Sequence, residues 1–460
     1  MESVQPDPYT RKQGAVKEPP STVLGRVRYL GPGIIVSGSI VGSGEIILTS
    51  SLGAAAGFVM LWWVLMSCWI KSLIQAELAR YTIVTGDTYL RALNRLPGKI
   101  WGPIRKVSWP IWLSLIAIVP GTMALGGIIG GASQALSLLI GDEPSNTITF
   151  VIALATIAIL NFGGYKGFEK VLLALVVMFT ATTLFCVIMM QSTPYQVSWE
   201  DISTGFTFDF PVEYIGLALA VYGYTGVNSA ETSAYTYWCI EKGYPSFIGP
   251  MNAEKDDNAA WITRAKGWIK VLHMDVWLTL VILTCATLPF YFLGAGVLNA
   301  LGAKPSGLET ISVLSDMFTQ TLGPWALWVF GTGAFFILFS TTLSAIGAAA
   351  RFIPDYLIEL GLLERENLQA RKQFIRAYIT LMPLLSFIIY VNFQNPVALI
   401  TIGGLIAALM LPIQSGGTLW LQRKIMDQRV APKPVVRGLM WMIFAFQLVM
   451  AFFVIRFVVL

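Results

Sequence analysis

The sequence predicts an all-α polytopic membrane protein, and three observations lead to that prediction. Of its 460 residues, 55% are hydrophobic and 12% are charged, whereas a soluble domain usually carries about 25% charged residues. Apolar runs of about 20 residues, the length needed to cross a bilayer, recur along the chain with short polar loops between them. Two of these runs are interrupted at their centres by glycines and ionisable residues. We therefore expect a bundle of spanning helices in which two helices are broken.

Hydropathy predicts eleven spans, which we number in chain order. Lys and Arg concentrate in the N-terminal segment and in the loops that follow even-numbered spans. The positive-inside rule therefore places the N-terminus in the cytoplasm and the C-terminus outside the plasma (inner) membrane. The predicted limits are 30–54, 57–83, 110–139, 147–165, 168–191, 211–238, 267–297, 324–348, 373–392, 396–420 and 437–459.

The chain divides into a short tail and one membrane domain. Residues 1–29 are polar, contain Pro19 and Pro20, and lack the apolar stretch of a signal peptide. They predict a disordered cytoplasmic tail. Residues 30–460 are expected to form a single transmembrane transporter domain.

Several classes of protein are excluded by what the sequence lacks. The net charge of +5 comes from loop residues, so it does not indicate a nucleic-acid partner. A phosphate-binding glycine loop with its lysine is absent, and no polar stretch is long enough for an enzyme domain. The four cysteines lack CxxC spacing, and His273 is the only histidine. We expect no enzymatic activity, no cofactor and no obligate protein partner, only the lipid bilayer and a small ion or solute.

The interruption of span 1 lies at Gly42-Ser43-Gly44-Glu45, within a Gly/Ser-rich stretch that begins at Ser37. The interruption of span 6 lies between Tyr222 and Glu231 and includes Thr225, Gly226 and Asn228. A glycine costs about 1 kcal/mol relative to alanine inside a helix, and an ionisable residue at mid-membrane costs about 3 kcal/mol. These two centres therefore predict unwound, functional segments.

Two interrupted spans in matching positions predict a transporter built from inverted repeats. The repeats would cover about 30–191 and 211–420, with an extra helix at about 437–459. The substrate would bind at Gly42, Ser43, Gly44, Glu45, Thr225, Gly226, Asn228 and Glu231. The alternative is that the glycines only allow close helix packing, which does not account for Glu45 or Glu231.

Three motifs resemble the NRAMP family of divalent metal-ion transporters. They are Gly31-Pro32-Gly33, the stretch Gln75–Arg80 followed by Ile83-Val84-Thr85-Gly86, and Asn161-Phe162-Gly163-Gly164 with Glu169. The resemblance covers nearly the whole chain. It implies a LeuT-type fold of 5+5 inverted repeats plus an eleventh helix, alternating access, and a substrate site between helices 1 and 6.

The sequence departs from that family at its metal site. The family's Asp-Pro-Gly-Asn motif aligns with Gly42-Ser43-Gly44-Glu45, its methionine ligand with Thr225, and the following histidine with Val227. Loss of the thioether argues against selective Mn/Fe transport. If a metal binds, the expected ligands are the oxygens of Glu45, Asn228 and Thr225, which suit a hard, Mg-like cation. The family's helix 3 acids are also missing, which predicts weak or no proton coupling.

A second reading keeps the fold but gives up metal binding. The site would then take a small organic or zwitterionic solute, whose carboxylate binds N–H groups at the half-helix ends. A third reading, a non-transporting receptor or scaffold, has no appended domain to support it.

Lys71, Glu77 and Asp275 are candidates for gating or for ion pairs. Lys71 could neutralise Glu45, which would disfavour a cation site, or pair with a carboxylate elsewhere. A structural ion pair or snorkelling near the cytoplasmic end is the interpretation that we favour for it.

Overall fold

The computed structural model describes residues 9–12, 14–33, 42–162, 165–251 and 258–459. These residues fold into a helical bundle, and the predicted all-α architecture is confirmed. Within them, seven helices are long and apolar enough to cross a membrane, and two further apolar helices are shorter. Residues 34–41, which include the first part of the predicted break in span 1, lie outside the described residues, as do Gly163, Gly164 and the side chain of Glu169.

Each predicted span corresponds to one helix or to a broken pair. The helices that match spans 1 to 11 are Gly44–Thr49 continued by Ser50–Ala56, Leu61–Thr85, Trp109–Ile116 with Ile118–Ile140, Asn146–Phe162, Tyr165–Met190, Ile215–Tyr224 with Ser229–Lys242, Ala259–Leu293, Ala326–Leu360, Leu368–Phe393, Pro396–Lys424 and Pro434–Val454. The connecting helices include Val23–Val27, Tyr89–Arg95, Trp199–Thr204, Tyr244–Ile248 and Thr310–Leu322, and Lys99–Ile100 pairs with Val107–Ser108 as an antiparallel strand pair.

Spans 7 and 8 are longer than hydropathy predicts. Both helices continue past the apolar run into charged sequence at the predicted cytoplasmic side, where water can solvate the charged groups. Hydropathy also missed helix Thr310–Leu322 between these spans, because only one face of it is apolar. Ile311, Leu314 and Phe318 on that face are buried in the bundle.

The described part of the N-terminal segment, residues 9–12 and 14–29, packs on the bundle, whereas the sequence predicts a disordered tail. Tyr9 is buried, donates a 3.0 Å hydrogen bond to Glu241 and packs edge-on against Tyr237 at 5.0 Å. The indole of Trp268 donates to the carbonyl oxygen of Lys17 at 2.9 Å. The prolines disfavour a helix, but the aromatic rings find buried partners. The described residues that precede helix Val23–Val27 are therefore not helical, and they are docked on the predicted cytoplasmic ends of spans 6 and 7.

Span 6 is broken where the sequence predicts. Helix Ile215–Tyr224 ends at Thr225, and Gly226 takes a positive φ of 70°, a conformation that favours glycine. Helix Ser229–Lys242 then begins with a capping box, in which Asn228 Oδ1 accepts from the Glu231 amide at 3.0 Å. In return, Glu231 Oε2 accepts from the Asn228 amide at 3.1 Å.

Candidate substrate and ion site

Glu45 lies at the centre of the bundle and is fully buried. Its Oε2 accepts from the Gly42 amide at 3.1 Å, and its Oε1 accepts from the Gly226 amide at 3.3 Å. The hydroxyl of Thr287 on span 7 donates to the same Oε1 at 3.4 Å. The carboxylate therefore joins both helix breaks to span 7 through three donors.

The helix that carries Glu45 begins with a wide π-helical turn, Gly44–Thr49. Such turns occur frequently at functional sites. Thr49 donates from its side chain to the carbonyl oxygen of Gly44 at 3.1 Å, and Ser50 donates to that of Glu45 at 3.4 Å. These side chains add hydrogen bonds to carbonyls of the π-helical turn.

Lys71 lies on span 2 and is fully buried. Its ammonium donates to the carbonyl oxygen of Tyr222 at 2.6 Å and to that of Thr225. Both carbonyls stand at the C-terminal end of the first half of span 6, where helical partners are missing and the helix dipole is negative. Within the described part of the chain, Lys71 and Glu45 do not approach within 4 Å as an ion pair.

Thr225 has its side chain and carbonyl engaged in different contacts. Its Oγ1 lies 3.0 Å from Thr49 Oγ1, which links the two broken helices, while its carbonyl oxygen accepts from Lys71. Next to it, Gly226 packs against Cys68 of span 2, whose Cα would lie 3.2 Å from a Cβ at position 226. The break is therefore closed on the span 2 side.

The other residues of the span 1 break lie against spans 6 and 8. A Cβ at Gly42 would collide with Thr341 Oγ1, so this position has no room for a side chain here. Ser43 Oγ donates to Tyr224 Oη at 3.5 Å, and Gly44 packs against the same ring.

A cavity of about 220 Å³ begins beside the breaks. Tyr224, Asn228 and Glu231 line its inner end, together with Ser344 of span 8. Its other residues come from the second half of span 6, from the predicted cytoplasmic halves of spans 3, 8, 9 and 10, and from the loop helix that follows span 2. They include Tyr89, Ser114, Phe352, Tyr356, Tyr378 and Gln414. Glu45 and Lys71 are not among the lining residues, so the cavity reaches the break from the side of Glu231.

Asn228 and Glu231 meet the cavity in different ways. Asn228 uses its Oδ1 to cap helix Ser229–Lys242. Glu231 uses only Oε2 in the capping box, and its Oε1 accepts no hydrogen bond from any residue that the structure describes. The carboxylate of Glu231 therefore has an oxygen available to a ligand.

Glu77 and Asp275 lie away from the breaks. Glu77 pairs with Arg80 on the same helix at 2.9 Å and accepts from Gln422 of span 10 at 2.8 Å. Asp275 accepts from the amides of Gly31 and Gly33 at 3.1 and 2.6 Å. Asp275 also accepts from Tyr235 Oη at 2.7 Å. These carboxylates connect elements at the predicted cytoplasmic end of the bundle.

Sequence reasoning missed several contacts at the centre. Thr49 meets Thr225, Thr287 meets Glu45 and Thr341 meets Gly42, and the two members of each pair lie far apart in the chain. The tandem Thr341-Thr342 offered a weak signal, while isolated threonines in apolar helices offer none because they commonly pack helices. Among the described residues, no group of three or more His, Cys, Asp or Glu side chains could hold a metal ion.

The bundle with its two broken helices defines a multi-pass membrane transporter of the alternating-access type. Solved structures share this fold. A variant of the Eremococcus coleocola manganese transporter superposes with a TM-score of 0.67 at 14% identity, covering 96% of this chain and 88% of that chain. The nucleobase-cation-symport-1 family transporter Mhp1 gives 0.55 at 12% identity, covering 98% and 94%. MhsT, in complex with L-phenylalanine, gives 0.51 at 18% identity, covering 95% and 99%.

The family model described as "Natural resistance-associated macrophage protein-like" matches residues 33–456, so the chain belongs to the NRAMP family. An uncharacterized protein of Pasteurella multocida (strain Pm70) is 25% identical over 392 residues, covering 82% of this chain and 80% of that protein. The divalent metal cation transporter MntH of Mycobacterium tuberculosis is 28% identical over 147 residues, covering 32% and 33%. The predicted family, LeuT-type fold and class as a transporter rather than an enzyme are confirmed.

Proposed function

We propose that this protein carries a hard divalent cation, Mg-like rather than Mn or Fe, across the membrane by alternating access, with weak or no proton coupling. At the span 6 break, the carbonyl oxygens of Tyr222 and Thr225 hold the Lys71 ammonium, so they are already occupied. The observation that supports the proposal most directly is therefore Glu231, which lines the cavity beside this break and has one carboxylate oxygen available to a ligand. Hard cations take ligands of this kind.

The donors at the break also bear on metal preference. Thr225 presents a hydroxyl where the family has a thioether, and a thioether favours softer transition metals. Cys68 packs against Gly226 and does not line the cavity, whereas Met410 of span 10 is among the residues that line it. We assign Cys68 a packing role, so replacing it should leave metal preference unchanged.

The proposal of weak proton coupling rests on span 3. Helices Trp109–Ile116 and Ile118–Ile140 contain no Asp, Glu or His, so they offer no chain of titratable groups for a proton. Under this proposal, the membrane potential drives the cation.

Flux into proteoliposomes tests these statements together. With a negative-inside potential, we expect Mg²⁺ entry faster than Mn²⁺ entry, and little acidification of an entrapped pH dye. Glu231→Gln should reduce Mg²⁺ flux at least tenfold, because it removes the cavity's carboxylate charge. Cys68→Ser should keep the ratio of Mg²⁺ to Mn²⁺ flux, and Glu213→Gln, at an exposed position before span 6, should keep the flux itself.

Three results would contradict the proposal. Faster transport of Mn²⁺ than of Mg²⁺ would reject the metal preference, and tight coupling of flux to acidification would reject weak proton coupling. Absence of flux for every divalent cation would reject metal transport and leave the second candidate.

That second candidate is a small organic cation or zwitterion, and the cavity favours it specifically. Among the described lining residues, Glu231 is the one carboxylate, and aromatic rings surround the space, including Tyr89, Trp238, Phe352 and Tyr378. Aromatic faces bind organic ammonium groups by cation–π attraction. Stabilisation against heat by amines or amino acids, with none by Mg²⁺ or Mn²⁺, would select this candidate.

A further inference from the structure

The first half of span 6 ends in a set of carbonyls with no helical partners. Helix Ile215–Tyr224 stops at Thr225, whose ψ of 141° is extended, so the last carbonyls face away from the helix continuation. The C-terminal end of a helix carries partial negative charge. In transporters with broken helices, such unwound carbonyls and C-terminal half-helix ends coordinate small cations. This end of span 6 therefore has the chemistry of a cation site.

A side chain of the protein, that of Lys71, occupies this site. Lys71 Nζ donates to the carbonyl oxygens of Tyr222 and Thr225, and its side chain is fully buried. Burying an isolated ammonium is costly unless it is well paired. Here the partners are backbone dipoles rather than a carboxylate, since no described Asp or Glu lies within 4 Å of Nζ as an ion pair. The ammonium is thus held as a small free cation would be held.

The buried negative charge, that of Glu45, is also held mainly by backbone groups. Glu45 binds the amides of Gly42 and Gly226 and the hydroxyl of Thr287. Carbonyl dipoles thus hold the ammonium of Lys71, and amide dipoles hold the carboxylate of Glu45. Neither group lines the cavity, so both remain in place beside a space that a substrate could enter.

We propose that Lys71 is a built-in substitute for a bound ion at the span 6 break, so that this transporter holds the break together without a free coupling cation. Removing the amino group then turns the same two carbonyls into a binding site for a free ammonium or alkali cation. The inference concerns the ion at the carbonyls rather than the substrate in the cavity, so it holds for either candidate function.

Thermal unfolding of the purified protein tests this in buffers of equal ionic strength. The base salt is N-methylglucamine chloride, a cation too large for the site, and the probes are n-propylammonium and Na⁺. Lys71→Ala removes the atoms from Cγ to Nζ. The removed group has the size and charge of n-propylammonium. We expect n-propylammonium to raise the melting temperature of this variant, with the shift growing with the logarithm of concentration.

Three controls give the expected contrast. The parent protein should melt at the same temperature in N-methylglucamine, Na⁺ and n-propylammonium salts, because Lys71 already fills the site. Ser72→Ala changes a buried neighbour whose hydroxyl donates to the Cys68 carbonyl, and it should also show no response. Lys71→Met removes the charge but fills most of the volume, so it should not respond to n-propylammonium.

Two results would overturn the inference. One is a folded Lys71→Ala variant whose melting temperature is unchanged by both probes. The other is a parent protein that Na⁺ stabilises by several degrees over N-methylglucamine, which would show that a free ion has a place of its own. The second measurement uses the unaltered protein, so the inference stays testable if the Lys71 variants do not fold. Neither result depends on Mg²⁺ flux, so failure here is distinguishable from failure of the proposed function.

Discussion

At the scale of single residues, the centre of the molecule contains two buried charges that bind the backbone rather than each other. Glu45 accepts from two amides and a hydroxyl, while Lys71 donates to two carbonyls. Hydrogen bonds to charged groups contribute about 1.5–3 kcal/mol each. Such bonds offset the cost of burying ions at mid-membrane and fix the geometry of both breaks.

The first prediction concerns the carboxylate. In Glu45→Gln, an NH₂ group replaces one oxygen and meets N–H or O–H donors instead of accepting from them. We expect a loss of about 1.5–3 kcal/mol in the free energy of unfolding, the range for one hydrogen bond to a charged group. Thermal or denaturant melts in detergent measure it, with the exposed Glu213→Gln as control. Equal stability of the Glu45 variant and its parent would show that the three donors do not stabilise a carboxylate.

At the scale of helices, spans 6 and 10 pack through glycine contacts. A Cβ on Gly223 would collide with the carbonyl oxygen of Gly404, and a Cβ on Gly404 would lie 2.5 Å from that of Ala220. Glycines near the span 6 break therefore serve two purposes. Gly226 provides the turn with positive φ. Gly223 allows close helix packing, which is the alternative role that the sequence allows for these glycines.

The second prediction compares two glycines on the same half-helix. Gly223→Ala should destabilise the protein by about 1–3 kcal/mol, because overpacking forces spans 6 and 10 apart. Gly216→Ala has no neighbour within 4 Å of the added Cβ, so it should be neutral or stabilise by up to about 1 kcal/mol. Melting temperatures of the two variants against the parent provide the measurement. Similar effects of the two substitutions would contradict the packing argument.

At the scale of the whole molecule, the bundle has a cavity on one side of the breaks and tight packing on the other. On the packed side, Tyr291 Oη donates to the carbonyl oxygen of Gly57 at 2.6 Å, and Asn299 Nδ2 donates to that of Ala54 at 2.9 Å. These bonds hold the end of the first helix against span 7. Alternating access would require them to separate while the cavity side closes.

The third prediction concerns orientation across the membrane. The chain has eleven predicted spans, and the loops that follow even-numbered spans are basic. The positive-inside rule therefore predicts that the N-terminus lies in the cytoplasm and the C-terminus outside. In a bacterial host, a fluorescent protein fused before residue 1 should fluoresce, and alkaline phosphatase fused after residue 460 should be active. Phosphatase activity fused at the loop after span 10, near Lys433, should be low. Activity at Lys433 but not after residue 460 would invert the assignment and place the cavity on the outer side.

Local features of the sequence are enough to predict the class and outline of this protein. Long apolar runs dictate membrane helices because a bilayer leaves backbone groups no other partners. Glycine clusters with Glu45 and Glu231 mark the breaks because both features are costly at mid-membrane. Gly31-Pro32-Gly33 and the other motifs indicate the NRAMP family without any knowledge of tertiary contacts. These features are local, so they can be read along the chain.

The partners of the buried charges, in contrast, depend on how the helices pack. The sequence left open whether Lys71 pairs with Glu45, snorkels or stabilises another carboxylate. The fold instead places it on the carbonyls of Tyr222 and Thr225, about 150 residues away in the chain. It also puts Thr287 on Glu45, Thr341 against Gly42 and Asp275 on the amides at Gly31 and Gly33. Partners for a buried charge depend on which helices meet at one depth, and hydropathy contains no information on that choice.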